Sequence, residues 1–316
     1  MPANLPPQYY EEEKKLKEAK TPDEKIKIIE RMLAIIPHHK GTDKLIGSLR
    51  AKIAKLKEEK EKKPQTRKGI EALYNVKKEG AAQVLFLGFP NAGKSSCVAA
   101  LSGEYVEIAD YPYTTKMLQP RMMRYEDIWI QLVDTPAIGD DSTNMWFGNM
   151  VRKADLILIV ISVEEDLFTE YELIMEELSL HTKEVSKPYI VVVNKMDLAE
   201  HSQKYEEFEK ALKAKGVLSI PFSATHFMNL HELKEQIFIR SDIIRVYSKL
   251  PGKKPDMEVP FTLKRGSTIL DFAEGIHKDF VKRLKYARLW RSNVLAGMMV
   301  SKDFLLEDKD IVELHV

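Results

Sequence analysis

Gly88 to Ser95 reads G-F-P-N-A-G-K-S, and Asn194 to Asp197 reads N-K-M-D. A glycine-rich loop between an apolar strand and a helix aims consecutive backbone N–H groups at one point. Together with the helix N-terminus they form a concavity for polyanions. The N–H groups around Asn91, Ala92, Gly93 and Lys94 would supply that concavity, and Gly93 lets the backbone approach closely. Lys94 is a point charge for β- and γ-phosphates, Ser95 a hydroxyl ligand for Mg²⁺, and Ser96 a contact for the α-phosphate.

The loop alone cannot separate GTP from ATP. The second run can, because it ends four consecutive β-branched residues, Ile190 to Val193, which puts the Asp197 carboxylate at the carboxyl edge of a sheet. A carboxylate there accepts from both N1–H and the exocyclic amine of guanine, whereas adenine offers no such donor pair. Losing that match leaves a charge unpaired, at a cost of several kcal/mol, on the order of a buried unsatisfied ion. Asn194 opens this run, and the alkyl stem of Lys195 can lie along the base. Ser223-Ala224, after the next strand, fits a loop whose amides meet the guanine carbonyl. Alone, that dipeptide carries no information; third in order after two matched runs, it does. GTP/GDP with Mg²⁺ is therefore the expected ligand set.

Two elements should surround the γ-phosphate. Asp134-Thr135-Pro136 closes a strand where an acid holds Mg²⁺ through water. Tyr111 to Thr115 reads Y-P-Y-T-T, a turn-prone segment that could bring a threonine hydroxyl to the metal, Thr115 in preference to Thr114. Without the other motifs this pair would read as an ordinary surface loop.

These residues need a frame. From Gln83 onward, short apolar runs alternate with helical segments, the rhythm of parallel βαβ units and a doubly wound α/β sheet. The pattern predicts strands near 83–88, 129–134, 156–161, 189–194 and 217–221, with helices near 94–101, 142–153, 171–180, 204–215 and 230–240. Every motif falls at the carboxyl ends of those strands, where such sheets bind ligands. Thr21-Pro22-Asp23-Glu24 caps a helix carrying Ile26, Ile29, Leu33 and Ile36, and Thr42 starts a second with Leu45, Leu49, Ile53 and Leu56. Two such stripes predict an N-terminal helical hairpin over 1–68, followed by a nucleotide-binding domain over 69–244. Residues 245–255, with two prolines, a glycine and lysines, read as a linker. Over 256–316, a strand at 259–264, a helix marked by Ile269, Phe272, Ile276 and Phe280, and a last strand at 311–316 predict a small ubiquitin-like half-barrel.

Composition agrees with a folded, multi-domain chain: 316 residues, 44% apolar, 31% charged. No apolar stretch reaches the roughly 18 residues of a membrane span, the N-terminus lacks a basic start followed by an apolar run, and the single Cys97 allows no internal disulfide. The expectation is a cytoplasmic protein with neither a membrane nor DNA as partner. Net charge is +1 overall, with the basic excess at the N-terminus, where it is either a solvated helical surface or a nucleic-acid contact. A second excess lies at 276–291, where Lys278, Lys282, Arg283, Lys285, Arg288 and Arg291 surround Tyr286 and Trp290. It reads as an RNA-binding patch or a solvated helix end. Met145, Trp146, Phe147 and Met150 form either a docking surface or a helix packed on the sheet, Cys97 a small core residue, and the histidines no metal site.

In these runs, together with H-H-K-G-T at 38–42, P-F-T-L-K-R-G-S-T at 260–268 and H-K-D-F at 277–280, the chain resembles the Obg-related P-loop GTPases. It is most similar to the developmentally regulated GTP-binding proteins, with a C-terminal β-grasp TGS domain. The resemblance implies GTP hydrolysis by a slow switch acting on ribosomes or RNA, with room for a regulatory protein partner. It implies that Asn91 holds a potassium ion supplying transition-state charge, as an arginine finger does elsewhere, and that the N–H at Ala137 meets the γ-phosphate. Ile138, which has no donor, stands where other GTPases carry a water-orienting glutamine. Two departures stand out. The acidic switch motif ends at Ala137 instead of glycine, and alanine resists positive φ by roughly 1 kcal/mol or more. The stretch from Asp134 to Asn194 is also too short for the family's inserted small domain. Ala137 and Ile138 together keep a second reading open, a nucleotide-dependent RNA or ribosome binding module with little hydrolysis; N-K-M-D disfavours a P-loop kinase or ATPase.

Overall fold

The structure, a computed structural model, describes residues 76–103, 118–139, 143–181, 187–197, 202–291 and 295–316, together with 22–36 and isolated positions between Pro6 and Ile53. Thr115, the H-H-K-G-T run and the caps at Thr21 and Thr42 lie outside the described residues. The chain divides into two units, 1–70 and 71–316.

In the first unit, α1 (Pro22–Ile35) buries Ile26, Ile29 and Met32, and Ile36 follows, at intervals of three or four. These pack with Tyr9, Ile46 and Leu49, with Leu16, Leu33 and Ile53 against them. The described apolar residues of this unit thus share one core, while Leu45 and Leu56 of the expected second stripe lie outside the described residues.

The second unit contains two sheets. The first takes β1 (Gln83–Leu87), α2 (Lys94–Ser102), β2 (Gln119–Tyr125), β3 (Ile128–Asp134), α3 (Thr143–Lys153), β4 (Leu156–Ser162), α4 (Leu167–His181), β5 (Tyr189–Asn194), α5 (Ser202–Ala214), β6 (Ser219–Pro221) and α6 (Leu230–Arg240). Its order is β2-β3-β1-β4-β5-β6, parallel except for β2. Strands β1 and β4 are buried throughout, as a sheet covered on both faces requires. Residues of α2 and α6 fill the core on one face, residues of α3, α4 and α5 that on the other. This is the doubly wound α/β frame the sequence predicts. Phe147 and Met150 are buried in the second core, which settles them as packing residues. Cys97 is likewise buried, and burial pushes its thiol pKa up.

The antiparallel β2 has no counterpart among the strands the pattern predicts. Its residues Q-P-R-M-M-R-Y bury only Met123, so the apolar signal is weak, and Pro120 is tolerable because β2 is an edge strand.

The second sheet takes β7 (Ile243–Ser248), β8 (Phe261–Lys264), α7 (Ile269–Ile276), α8 (Lys278–Arg283), β9 (Tyr286–Arg291), β10 (Leu295–Val300) and β11 (Asp310–His315). The order is β10-β9-β11-β7-β8, with β7 parallel to β11 and antiparallel to β8. This corrects the linker expected at 245–255. Residues 245–248 belong to an interior strand, whose Ile244 and Val246 enter the core beneath α7, and the prolines come only after it. Arg245 and Tyr247 disguise the alternation. Thr268 caps α7 through a reciprocal box with Asp271. The helix ends at Ile276 and does not run on to Phe280, because His277 is extended and caps a separate helix.

Candidate functional site

Strand β1 delivers the phosphate loop. A side chain at Gly88 would stand 2.3 Å from the Val160 carbonyl oxygen of β4, so the loop leaves the sheet with no room for a Cβ. Asn91 (φ 62) and Gly93 (φ 88) both adopt left-handed conformations, and α2 follows. The N–H groups of its first turn have no intrahelical partner, which is the property an anion exploits.

Lys94 is buried and donates from Nζ to the carbonyls of Gly88 and Phe89, 3.0 Å each. Burial pulls its pKa down to about 8. A buried ammonium held by carbonyls is poised for an anionic partner. Ser95 Oγ donates to Asp134 Oδ2 at 2.5 Å, so the hydroxyl at the start of α2 and the carboxylate at the end of β3 converge. Two oxygen ligands in contact fit a hard divalent cation such as Mg²⁺. Thr135 anchors the strand end, Oγ1 to the Phe86 carbonyl at 2.6 Å. The Ile138 N–H donates to the Gly88 carbonyl at 3.1 Å, drawing the acidic switch motif against the phosphate loop.

Ala137 is buried, and it is not among the residues of positive φ. The backbone turns instead at Gly139, with φ 92 and open space around its missing Cβ. The penalty expected for alanine at 137 is therefore not incurred.

The base-side residues form one knot. Asn194 Nδ2 donates to the Ala92 carbonyl at 3.1 Å, and Asn194 Oδ1 accepts from Ala224 N–H at 3.3 Å. One side chain thus ties together all three motifs. Asp197 Oδ1 accepts from Ser223 Oγ at 2.7 Å, with His226 3.5 Å from Oδ2. The Ser223 hydrogen bond, chiefly, holds the carboxyl below its ordinary pKa and ready to accept. Lys195 (φ 66) pairs with Glu164 at 2.5 Å, which fixes its direction at the edge of the site.

The sequence therefore leads to residues that converge: Asn91, Ala92, Gly93, Lys94 and Ser95 with Asp134, Ala137 and Ile138 on one side, and Asn194, Lys195, Asp197, Ser223 and Ala224 on the other. Ser96 lies half-buried on α2 beside them. Glu164 and His226 escape a reading by motif, since each stands outside a spaced run and joins only through the loops after β4 and β6. Among the described residues no three acids, histidines or cysteines cluster as a metal site, and no helix is long and apolar enough to cross a membrane.

The 276–291 patch is partly dismantled. Lys278, Lys282, Arg283, Lys285 and Arg288 are exposed. Arg291 is held by Asp310 at 2.7 Å and Glu307 at 2.5 Å, Tyr286 stacks on His315, and Lys249 covers Trp290. The charges are available, and the aromatic rings are already in use.

A doubly wound sheet with a phosphate loop, an acidic switch strand and a guanine-reading loop at its carboxyl edge defines a P-loop GTP-binding protein. Residues 83–195 match the family model described as a 50S ribosome-binding GTPase, and residues 244–316 match that of the TGS domain. A GTP-binding protein of Methanocaldococcus jannaschii is 31% identical, covering 93% of each chain. Developmentally-regulated GTP-binding protein 1 of Xenopus laevis is 29% identical over 90% of this chain and 96% of its own. Ribosome-interacting GTPase 1 of Saccharomyces cerevisiae is 27% identical over 92% and 97%. The chain belongs to the family of developmentally regulated GTP-binding proteins. The first alignment spans 371 positions against 316 residues here, so that relative carries segments without a counterpart in this chain.

Proposed function

We propose that this protein is a Mg²⁺-dependent GTPase switch, slow and stimulated by K⁺, whose nucleotide state governs association with ribosomes or RNA in the cytoplasm. The observation that carries this reading is the bond from Asn194 to the Ala92 carbonyl, 3.1 Å, which makes the phosphate loop and the guanine loop one site.

Each residue of the site has a share of the work. Asp197 accepts from the guanine edge, with Ser223 orienting it, Lys195 flanks the base, and the Ala224 region meets the guanine carbonyl. Lys94 exchanges its two carbonyl partners for β- and γ-phosphate oxygens, and Ser96 and the N–H groups of 91–94 take the remaining charge. Ser95, Thr115 and Asp134 would hold Mg²⁺, which would neutralise charge on the transferring phosphoryl group. Asn91 holds K⁺, and the N–H of Ala137 orients the γ-phosphate. Ile138 contributes no side-chain donor, so electrostatics of loop and cations must carry turnover. The exposed lysines and arginines of α8 and β9 suit phosphate contacts with RNA, as the name of the yeast relative suggests for that protein.

A second reading, a binding module with little hydrolysis, is favoured by one observation: the Ile138 N–H is already spent on the Gly88 carbonyl. Single-turnover GTP hydrolysis in potassium and in sodium separates the two. We expect faster turnover in potassium, and Asn91→Ala should erase that difference, with GDP affinity lowered only by the roughly 1 kcal/mol that alanine costs at positive φ. Absence of turnover in both salts would sink the hydrolytic reading and leave the module. Co-sedimentation with ribosomal particles only in the presence of a GTP analogue tests the partner.

A further inference from the structure

One densely bonded side chain of the second unit lies away from the nucleotide site. Arg245 of β7 is 2% exposed. Its Nε and Nη2 grip Asp308 at 3.0 and 2.7 Å, on the turn before β11, which anchors it to the C-terminal sheet. Its Nη1 reaches out of that sheet to Glu126 at 2.5 Å and Asp127 at 2.9 Å. Tyr247, two residues along the same strand, donates to Asp127 as well, and Lys309 sits 3.1 Å from Glu126. Phe238 of α6 lies under the guanidinium, 4.7 Å away, and stacks on Tyr125.

Glu126 and Asp127 are the whole of the turn joining β2 to β3, whose register closes at Tyr125 opposite Ile128. Glu126 has φ 49. Glycine would adopt that conformation more cheaply, so glutamate here costs local stability and contributes a carboxylate to Arg245 and Lys309. At its other end the same hairpin pairs Gln119 with Asp134. Asp134 touches Ser95, and the segment containing Thr115 leads into Gln119. Strands of seven residues at about 3.4 Å each make a stiff lever of about 20 Å from the metal-side acid to the Arg245 knot.

We propose that Arg245 is a positioning residue through which the nucleotide state at Asp134 and the attachment of the C-terminal domain are coupled, with the β2–β3 hairpin as the lever. This rests on the site being a nucleotide switch. Any displacement of β3 that accompanies exchange of GDP for GTP must be carried by the hairpin tip, where Glu126, Asp127 and Asp308 hold the guanidinium in a single arrangement. Coupling of this kind is reciprocal: loosening the knot must change the relative affinity for the two nucleotides.

Hydrogen exchange on the full chain, with GDP and with a non-hydrolysable GTP analogue plus Mg²⁺, reads the coupling directly. In the wild type, amides of β7 and of residues 305–312 should change protection between the two nucleotides, alongside the phosphate loop. Arg245→Gln should abolish the distant change and keep the local one, and should shift the ratio of analogue to GDP affinity about fivefold or more. Arg245→Lys should restore part of that shift. Should Arg245→Gln fail to fold, the double variant Glu126→Gly, Asp127→Ala leaves the Arg245–Asp308 pair intact and removes the acceptors that tie it to the lever. A phosphate loop that responds while β7 does not, or an affinity ratio within twofold of wild type in a folded variant, overturns the coupling. Failure to bind either nucleotide would overturn the switch reading instead, so the two outcomes are distinct.

Discussion

Gly93→Ala probes the architecture of the site at its tightest point. A Cβ built on Gly93 stands 2.1 Å from Asn194 Nδ2, far inside contact distance. That nitrogen cannot swing away freely, because Asn194 is buried and bonded at both ends, to the Ala92 carbonyl and the Ala224 N–H. Two costs add. Holding alanine at φ 88 costs about 1–2 kcal/mol, and expelling the Asn194 amide from its bond leaves a buried carbonyl unmet, about 1–2 kcal/mol more. The free protein can shed this strain by letting the loop relax, so the cost falls on nucleotide binding. A loss of about 2–4 kcal/mol is roughly a 30-fold to 1,000-fold weakening of GDP affinity. Equilibrium titration with a fluorescent GDP analogue measures it. The companion Asn194→Ala removes the obstacle, so in that background Gly93→Ala should cost only the φ strain, about 1–2 kcal/mol. Fully additive losses in the double variant, or Gly93→Ala binding GDP within about threefold of wild type, would refute the account of how the two motifs are tied.

Other expectations follow from single features. Glu170 has its pKa pushed up to about 7, first by burial and then by the neighbouring Glu165, and its Oε2 is buried without a hydrogen bond. A carboxyl with a raised folded pKa stabilises at acid pH, and that contribution is lost as pH rises through about 7. Glu170→Gln should therefore leave thermal stability at pH 5 nearly unchanged and raise it at pH 8, by about 1 kcal/mol given partial exposure. A gain at pH 5 as large as that at pH 8 contradicts the assignment. Ala137→Gly, restoring the glycine usual in this motif, should not speed single-turnover hydrolysis, since Ala137 lacks a positive φ. It should lower stability by about 0.5–1 kcal/mol through added backbone freedom. A many-fold rate increase would show that switching requires a conformation alanine resists. Neutralising Lys278, Lys282 and Arg283 should make RNA binding less sensitive to salt. The slope of log affinity on log salt should fall by about 0.7 for each phosphate these side chains no longer neutralise. An unchanged slope would exclude α8 from that interface.

The nucleotide site is legible in the sequence because its chemistry is written in contiguous residues. Gly88 to Ser95 and Asn194 to Asp197 each follow a buried strand, and a parallel sheet brings successive strand ends to one edge whatever lies between them. What pattern cannot supply is every contact made across elements by lone residues. Glu164 on Lys195 and His226 near Asp197 have no spacing to betray them. Strand β7 over residues 245–248 reads as a linker because charge and proline count over 245–255 outweigh its one inward-facing aliphatic there, Val246. Its Arg245 is the reason for both the error and the feature it hides. An arginine in a strand lowers the apolar signal, and only when 118 residues of chain fold back does it meet Asp127. The same holds for β2, whose tip carries Glu126 where a turn would favour glycine. Each of these two positions departs from local preference, and each departure is offset by the other. A pair of mutually compensating exceptions, far apart in sequence, is what a local reading must miss, and it marks where the two domains have been fitted to one another.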